Sequence, residues 1–231
     1  VGCMMGRYSL DEPGLILADA GDTVENYLTK VGKPLDEIQF PPDEDSIIPV
    51  LDGEWFEDDI VARTREFLRV TFGEDTLNEN LRFIEDSLGK PLRKYFLTDF
   101  YKDHLQRYKK RPIYWLFQSP KKGFNALIYL HRYTPDSLNL LLNDYLRDYL
   151  KKIETRLQHL DHTQATSTVT REKTAARKEA DKLRKTQKEC QDWERDTLLP
   201  LAQQRITIDL DDGVKSNYPK FTGAVAKVAG L

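Results

Sequence analysis

The chain has 231 residues, 39% apolar and 32% charged, with a formal charge of −3, enough for a sizeable core under a densely charged surface. No run approaches the roughly eighteen apolar residues of a membrane-spanning helix, and no signal-peptide pattern opens the sequence. Two cysteines, Cys3 and Cys190, exclude a disulfide-stapled scaffold and point to a reducing compartment, the cytoplasm.

Residues 1–55 read as an acidic, largely irregular N-terminal segment. It opens on VGCMMGRYSLD, apolar and without an initiating methionine, as expected of a piece of a longer protein. Residues Leu15 to Ala18 read as a short strand. Asp22 is placed to cap a helix over Thr23 to Val31 that stops at Gly32. The stretch PPDEDSIIPVLDGEW reads as an ordered linker outside the core.

Residues 56–133 read as helices followed by one β-hairpin. Ile60, Phe67, Leu68 and Phe72 recur at helical spacing ahead of Gly73. A second helix, Leu77 to Leu88, is capped by Asp75 or Thr76 and ended by Gly89. A third begins at Pro91 and halts before Pro112. Two apolar, aromatic-rich runs then follow, Ile113 to Gln118 and Phe124 to His131, around the turn Ser119 to Gly123.

Residues 134–231 read as a long helix pair and a tail. Thr134-Pro135-Asp136 is a helix start. Leu142, Leu146, Leu150, Ile153, Leu157 and Leu160 then form a coiled-coil-like seam. After a polar interval, Asp161 to Thr170, a second helix from Arg171 to Asp196 carries Ala176, Ala180, Leu183, Cys190 and Trp193 and is expected to pack back antiparallel. The tail RITIDLDDGVKSNYPKF reads as a short strand, an acidic turn and a closing segment. The expected class is mainly α with minor β: a helical scaffold around one hairpin.

No catalytic or metal site emerges from these residues. His159 and His162 offer two ligands where a site needs three or four, and Asp209, Asp211 and Asp212 lack the spacing of a calcium loop. Charge is another matter. Between Lys102 and Tyr133 stand eight Lys/Arg and one acid, in a chain that is acidic overall. Lys and Arg neutralise DNA phosphates, so Arg107, Lys109, Lys110, Arg111, Lys121, Lys122 and Arg132 are the phosphate candidates. Gln118 and Asn125 are the base-edge candidates. The competing reading makes Tyr114, Trp115, Phe117, Phe124 and Tyr129 plain core, with the lysines merely keeping the turn soluble.

The phrases VGCMMGRYSLDEPG, LRKYFLTDFYKDHLQRYKKRPIYWLFQSPKKGFNALIYLHRYTPDSLNLLLNDYL and IDLDDGVKSNYPKF resemble the C-terminal part of the PglX-type adenine-specific DNA methyltransferases of BREX phage-defence systems. RPIYWLF and DDGVKxNY are similar to phrases in large single-chain type II restriction-modification methyltransferases. The resemblance implies a methyltransferase domain that binds S-adenosylmethionine and an NPPY-type motif that holds a flipped adenine. Neither that motif nor a glycine-rich cofactor loop appears between Val1 and Leu231, so catalysis and cofactor are expected upstream and no catalytic residue carries over. The implied partners are double-stranded DNA, the upstream methyltransferase domain and other phage-defence proteins. A second function class stays open: a docking module whose acidic N-terminal part and long helices bind those proteins with little affinity for DNA.

Overall fold

In a computed structural model describing residues 1–231, the two aromatic-rich runs form antiparallel strands β2 (Tyr114–Gln118) and β3 (Asn125–Tyr129). They pair Tyr114 with Tyr129, Trp115 with Ile128 and Phe117 with Ala126. A third strand, β1 (Ile47–Pro49), adds to β3 antiparallel, giving the order β1-β3-β2. The stretch expected to be a linker therefore belongs to the core. Ile47, Ile48, Val50 and Leu51 are buried, and Pro49 fits because it ends an edge strand, where no ladder donor is needed.

Successive residues along a strand face opposite sides, and here both sides are covered. Ile47, Trp115, Phe117, Ala126 and Ile128 point to one core cluster; Ile48, Tyr114, Leu116, Leu127 and Tyr129 point to another. That is why the strands read as nearly unbroken apolar runs. The outer edge of β2 is also closed. Gln118 N–H donates to Ala224 at 2.8 Å, Ala226 N–H donates to Leu116 at 2.8 Å, and Phe117 bridges Val225.

Against the second face pack the N-terminal segment and four short helices: α2 (Ile60–Phe72), α3 (Leu77–Leu88), α4 (Leu92–Thr98) and α5 (Phe100–Arg107). The single helix expected from Pro91 to Tyr108 is two, interrupted at Asp99, whose φ/ψ of −122°/−35° leave the helical range. Ahead of them, α1 (Val24–Val31) is capped by Thr23, not Asp22. Thr23 and Asn26 form a reciprocal capping box, and Gly32 ends the helix at φ 75°. Residues 15–18 form no regular element and pair with no strand, and the tail segment 206–210 is likewise not a strand.

Against the first face lies the long helix pair. A helix begins at Ser137, not at Pro135: Thr134 N–H is held by the Ser137 hydroxyl at 2.9 Å in the turn before it. It runs through α6 (Ser137–Leu140), a π turn (Leu141–Leu146) and α7 (Arg147–Thr166). The polar interval is helical as far as Thr166, because Asp161 and His162 sit on a solvated face that tolerates helix. α8 (Thr170–Trp193) then returns antiparallel and continues through a π turn (Glu194–Leu198) into α9 (Leu199–Gln203). Ile153, Leu157 and Leu160 of α7 meet Ala176, Ala180, Leu183, Cys190 and Trp193 of α8, all buried. A last short helix, α10 (Val214–Asn217), leads into the tail that covers β2. The expected class holds: mainly α, with a small antiparallel sheet. No helix is long and apolar enough to cross a membrane.

Candidate nucleic-acid interface

The hairpin itself is unavailable to a ligand, since both faces and both edges are covered. Only its two ends reach solvent, and the basic residues divide between them. At the tip, Lys122 takes φ 65° and the turn closes through Lys122 N–H to Ser119 O at 2.9 Å. The Ser119 hydroxyl accepts from Phe124 N–H at 2.9 Å. The tip is held on α8 by Lys121 N–H, which donates to the Glu189 carboxylate at 2.6 Å. Gly123 passes so close to α8 that a Cβ there would stand 2.3 Å from Glu189 Oε2. Lys121 and Lys122 thereby join Lys178, Lys182 and Lys185 of α8 around a cleft of about 560 Å³, with Asp52, Asp181 and Glu189 as the acids. Lys182 pairs with Asp52, while Lys121, Lys122, Lys178 and Lys185 form no ion pair.

At the opposite end, α5 stops and the chain turns into β2. Lys109 N–H reaches Gln106 O at 3.1 Å and Lys110 N–H reaches Leu105 O at 2.8 Å, the paired bonds of a Schellman motif. The left-handed position after the cap is usually glycine. Here Lys109 and Lys110 take φ 49° and 60°, at a cost of about 1 kcal/mol or more each. His104 sets the geometry beneath them. Its buried Nε2 accepts from the N–H groups of Ile113 and Tyr114, each at 3.2 Å, and burial pushes its pKa down to about 4, so it stays neutral and accepting. Lys109, Lys110 and Arg111 line a second cleft together with Lys215 of the tail.

No protein-family model matches the chain. It is 42% identical over 245 aligned positions to the adenine-specific methyltransferase BrxX of Escherichia coli O9:H4 (strain HS), covering 100% of this chain and 20% of that protein. It is 38% identical over 231 positions to the adenine-specific methyltransferase PglX of Lacticaseibacillus casei (strain Zhang), covering 95% of this chain and 18% of that one. The chain belongs to the BrxX/PglX family, as one region of it. It spans about one fifth of the length of these relatives.

In this BrxX/PglX region three of the nine sequence candidates are turned to internal work. Arg132 is 7% exposed, and its guanidinium donates to the backbone carbonyls of Asp43 at 2.7 Å and Glu44 at 2.9 Å, clamping the N-terminal segment to the end of β3. Asn125 is 4% exposed; its amide bonds to Lys122 O and accepts from Gln118 Nε2 at 2.7 Å, so the two base-edge candidates satisfy one another. Most buried polar groups are bonded internally, as the terminal nitrogens of Arg132 and the amide of Asn125 are. Arg107 is exposed but faces a different hollow, among Tyr8, Tyr95 and Tyr108. Five candidates keep free charge at the hairpin ends: Lys121 and Lys122 at the tip, Lys109, Lys110 and Arg111 at the base.

None of the α8 lysines is among the sequence candidates, and their meeting with the hairpin tip emerges only from the fold. The signal was there: Lys178, Lys182 and Lys185 recur at spacings of four and three, one stripe of a helix. What no spacing discloses is that the tip lies beside that stripe.

Proposed function

We propose that this region serves an S-adenosylmethionine-dependent DNA adenine-N6 methyltransferase of phage defence or restriction-modification as a non-catalytic scaffold that holds double-stranded DNA. Cofactor binding and methyl transfer belong, on this reading, to the larger remainder of the protein. The observation that carries it is the tip of the hairpin docked on α8, where Lys121 and Lys122 stand with Lys178 and Lys185 as four unpaired cations on one exposed surface. Such a surface binds phosphates by releasing counterions and carries no base readout of its own. That agrees with the internal engagement of Gln118 and Asn125.

The test is fluorescence anisotropy of a labelled duplex against the 231-residue chain over a series of salt concentrations. The expected result is a linear fall of log K with log salt, with a slope of about −0.9 for each phosphate neutralised. Lys121→Glu with Lys122→Glu should lower affinity by about tenfold or more and flatten the slope by about two contacts, with an unchanged melting temperature. Absence of binding at low salt would overturn this reading.

The docking alternative has its own observation. Phe72 and Phe83, on the packed helices α2 and α3, are 56% and 72% exposed, the largest apolar side chains left facing solvent. A scaffold that fails to bind DNA would use this face to dock other phage-defence proteins.

A further inference from the structure

A cleft of about 970 Å³, larger than the one at the tip, opens at the base of the hairpin. Its wall is drawn from residues 109–113, 130–131, 210–217 and 230–231, so two of the sequence's most distinctive phrases, KKRPIYW and DDGVKSNY, converge there although they lie about a hundred positions apart. The floor is apolar, with Ile113, Leu130, Leu210 and Val214. The rim holds four cations, Lys109, Lys110, Arg111 and Lys215, with Asp212 as the acid. Lys110 Nζ donates to the Ala229 carbonyl at 3.1 Å, and none of the four cations forms an ion pair.

Two consecutive lysines hold left-handed backbone at this rim. A helix end that only needed to stop would place glycine there, which adopts that conformation freely. Backbone held in sparsely populated regions gathers at ligand clamps.

The geometry points to a phosphate-binding site separate from the tip: the cleft takes the phosphate groups of an anionic ligand, supplied by a DNA backbone or by the polyphosphate of a free nucleotide. Its volume lies in the range of small-molecule pockets, about 300–1,000 Å³. Lysine and arginine held around an apolar floor are the groups that bind phosphate oxygens. The site stands whether or not the hairpin tip binds DNA, because the two surfaces share no residue.

Isothermal titration calorimetry at low salt tests it, with inorganic triphosphate, ATP and a short duplex as probes. The proteins are the unaltered chain, Arg111→Glu with Lys215→Glu, Lys109→Gly, and the tip pair Lys121→Glu with Lys122→Glu. The first variant changes only exposed side chains, and an unchanged melting temperature confirms that it folds. Lys109→Gly should raise the melting temperature, since glycine relieves the left-handed backbone, and yet weaken binding.

Triphosphate or ATP binding that falls at least tenfold in the Arg111/Lys215 variant and survives in the tip pair supports the site with a nucleotide as its source. Duplex binding alone that falls in both the Arg111/Lys215 and Lys109→Gly variants supports it with DNA as the source. Affinities for all three probes that are absent, or unchanged by the cleft variants, overturn it. Where neither triphosphate nor ATP binds, loss of duplex binding in the tip pair alone would overturn it while leaving the tip reading intact.

Discussion

Tyr145 carries one hydroxyl proton and faces two carboxylates, Asp45 at 2.9 Å and Asp58 at 3.3 Å. A third, Asp43, is 8% exposed beside them, and Ile47 N–H donates to both Asp43 and Asp45. Three like charges in so little solvent are not all ionised. Burial, then the neighbouring Asp45 carboxylate, pushes the Asp43 pKa up to about 8. A carboxyl raised on folding holds a proton that the unfolded chain releases. Its contribution is therefore full below pH 4 and is lost as pH rises through about 8. Asp43→Asn, which stays neutral and keeps an acceptor for Ile47 N–H, should remove that loss. Near pH 8 we expect it to be more stable than the unaltered chain by on the order of 2 kcal/mol. That corresponds to roughly 4–8 °C in a chain of this size. Melting curves at pH 5 and pH 8.5 check this, and an identical pH dependence in both proteins would place the retained proton elsewhere.

At the scale of elements, the long helix pair depends on small residues opposite large ones. Ala176 and Ala180 of α8 are 5% and 0% exposed, which lets the helix approach Ile153, also 0% exposed, and Leu157. One turn away, Tyr149 fills the space beside the hairpin tip: it meets Trp55 edge-on at 5.1 Å and Phe124 at 5.8 Å. Leu150, a seam position by spacing, is only half-buried. Ile153→Ala should cost about 2–5 kcal/mol, and Leu150→Ala clearly less, because only the first opens a cavity in closed core. Urea midpoints rank the two, and equal losses would show that the pair closes differently. The π turns at Leu141–Leu146 and Glu194–Leu198 meet across the pair, where Arg147 Nε donates to Glu194 at 2.7 Å.

At the scale of the whole molecule, the sheet is common property. One face packs on the long helices and the tail; the other packs on the N-terminal segment and α2–α5. Losing either half exposes Trp115 and Phe117 or Tyr114 and Tyr129, so neither half is stable without the strands. Unfolding should accordingly be a single transition, with near- and far-ultraviolet circular dichroism coincident across a denaturant titration. Two separated transitions would mean that the halves hold their structure independently.

The sequence alone determined what depends on local order. Gly32, Gly73 and Gly89 marked helix ends through the left-handed or extended backbone they permit. The leucine and alanine spacings drew the long helix pair, and two aromatic-rich runs around a short turn drew the hairpin. The long shared phrases also named the family. Tertiary structure alone decided what depends on neighbours distant in the chain. Ile47 and Ile48 read as linker because a three-residue strand has too few residues to show a period, and only β3 makes it a strand. Arg132 and Asn125 read as ligand-facing because charge and amide chemistry are the same whether bonded to solvent or to Asp43 and Lys122. The basic run Lys102 to Tyr133 was one cluster by count and is two surfaces in space, because a buried hairpin carries its ends apart and delivers each to different partners: α8 at the tip, the tail at the base.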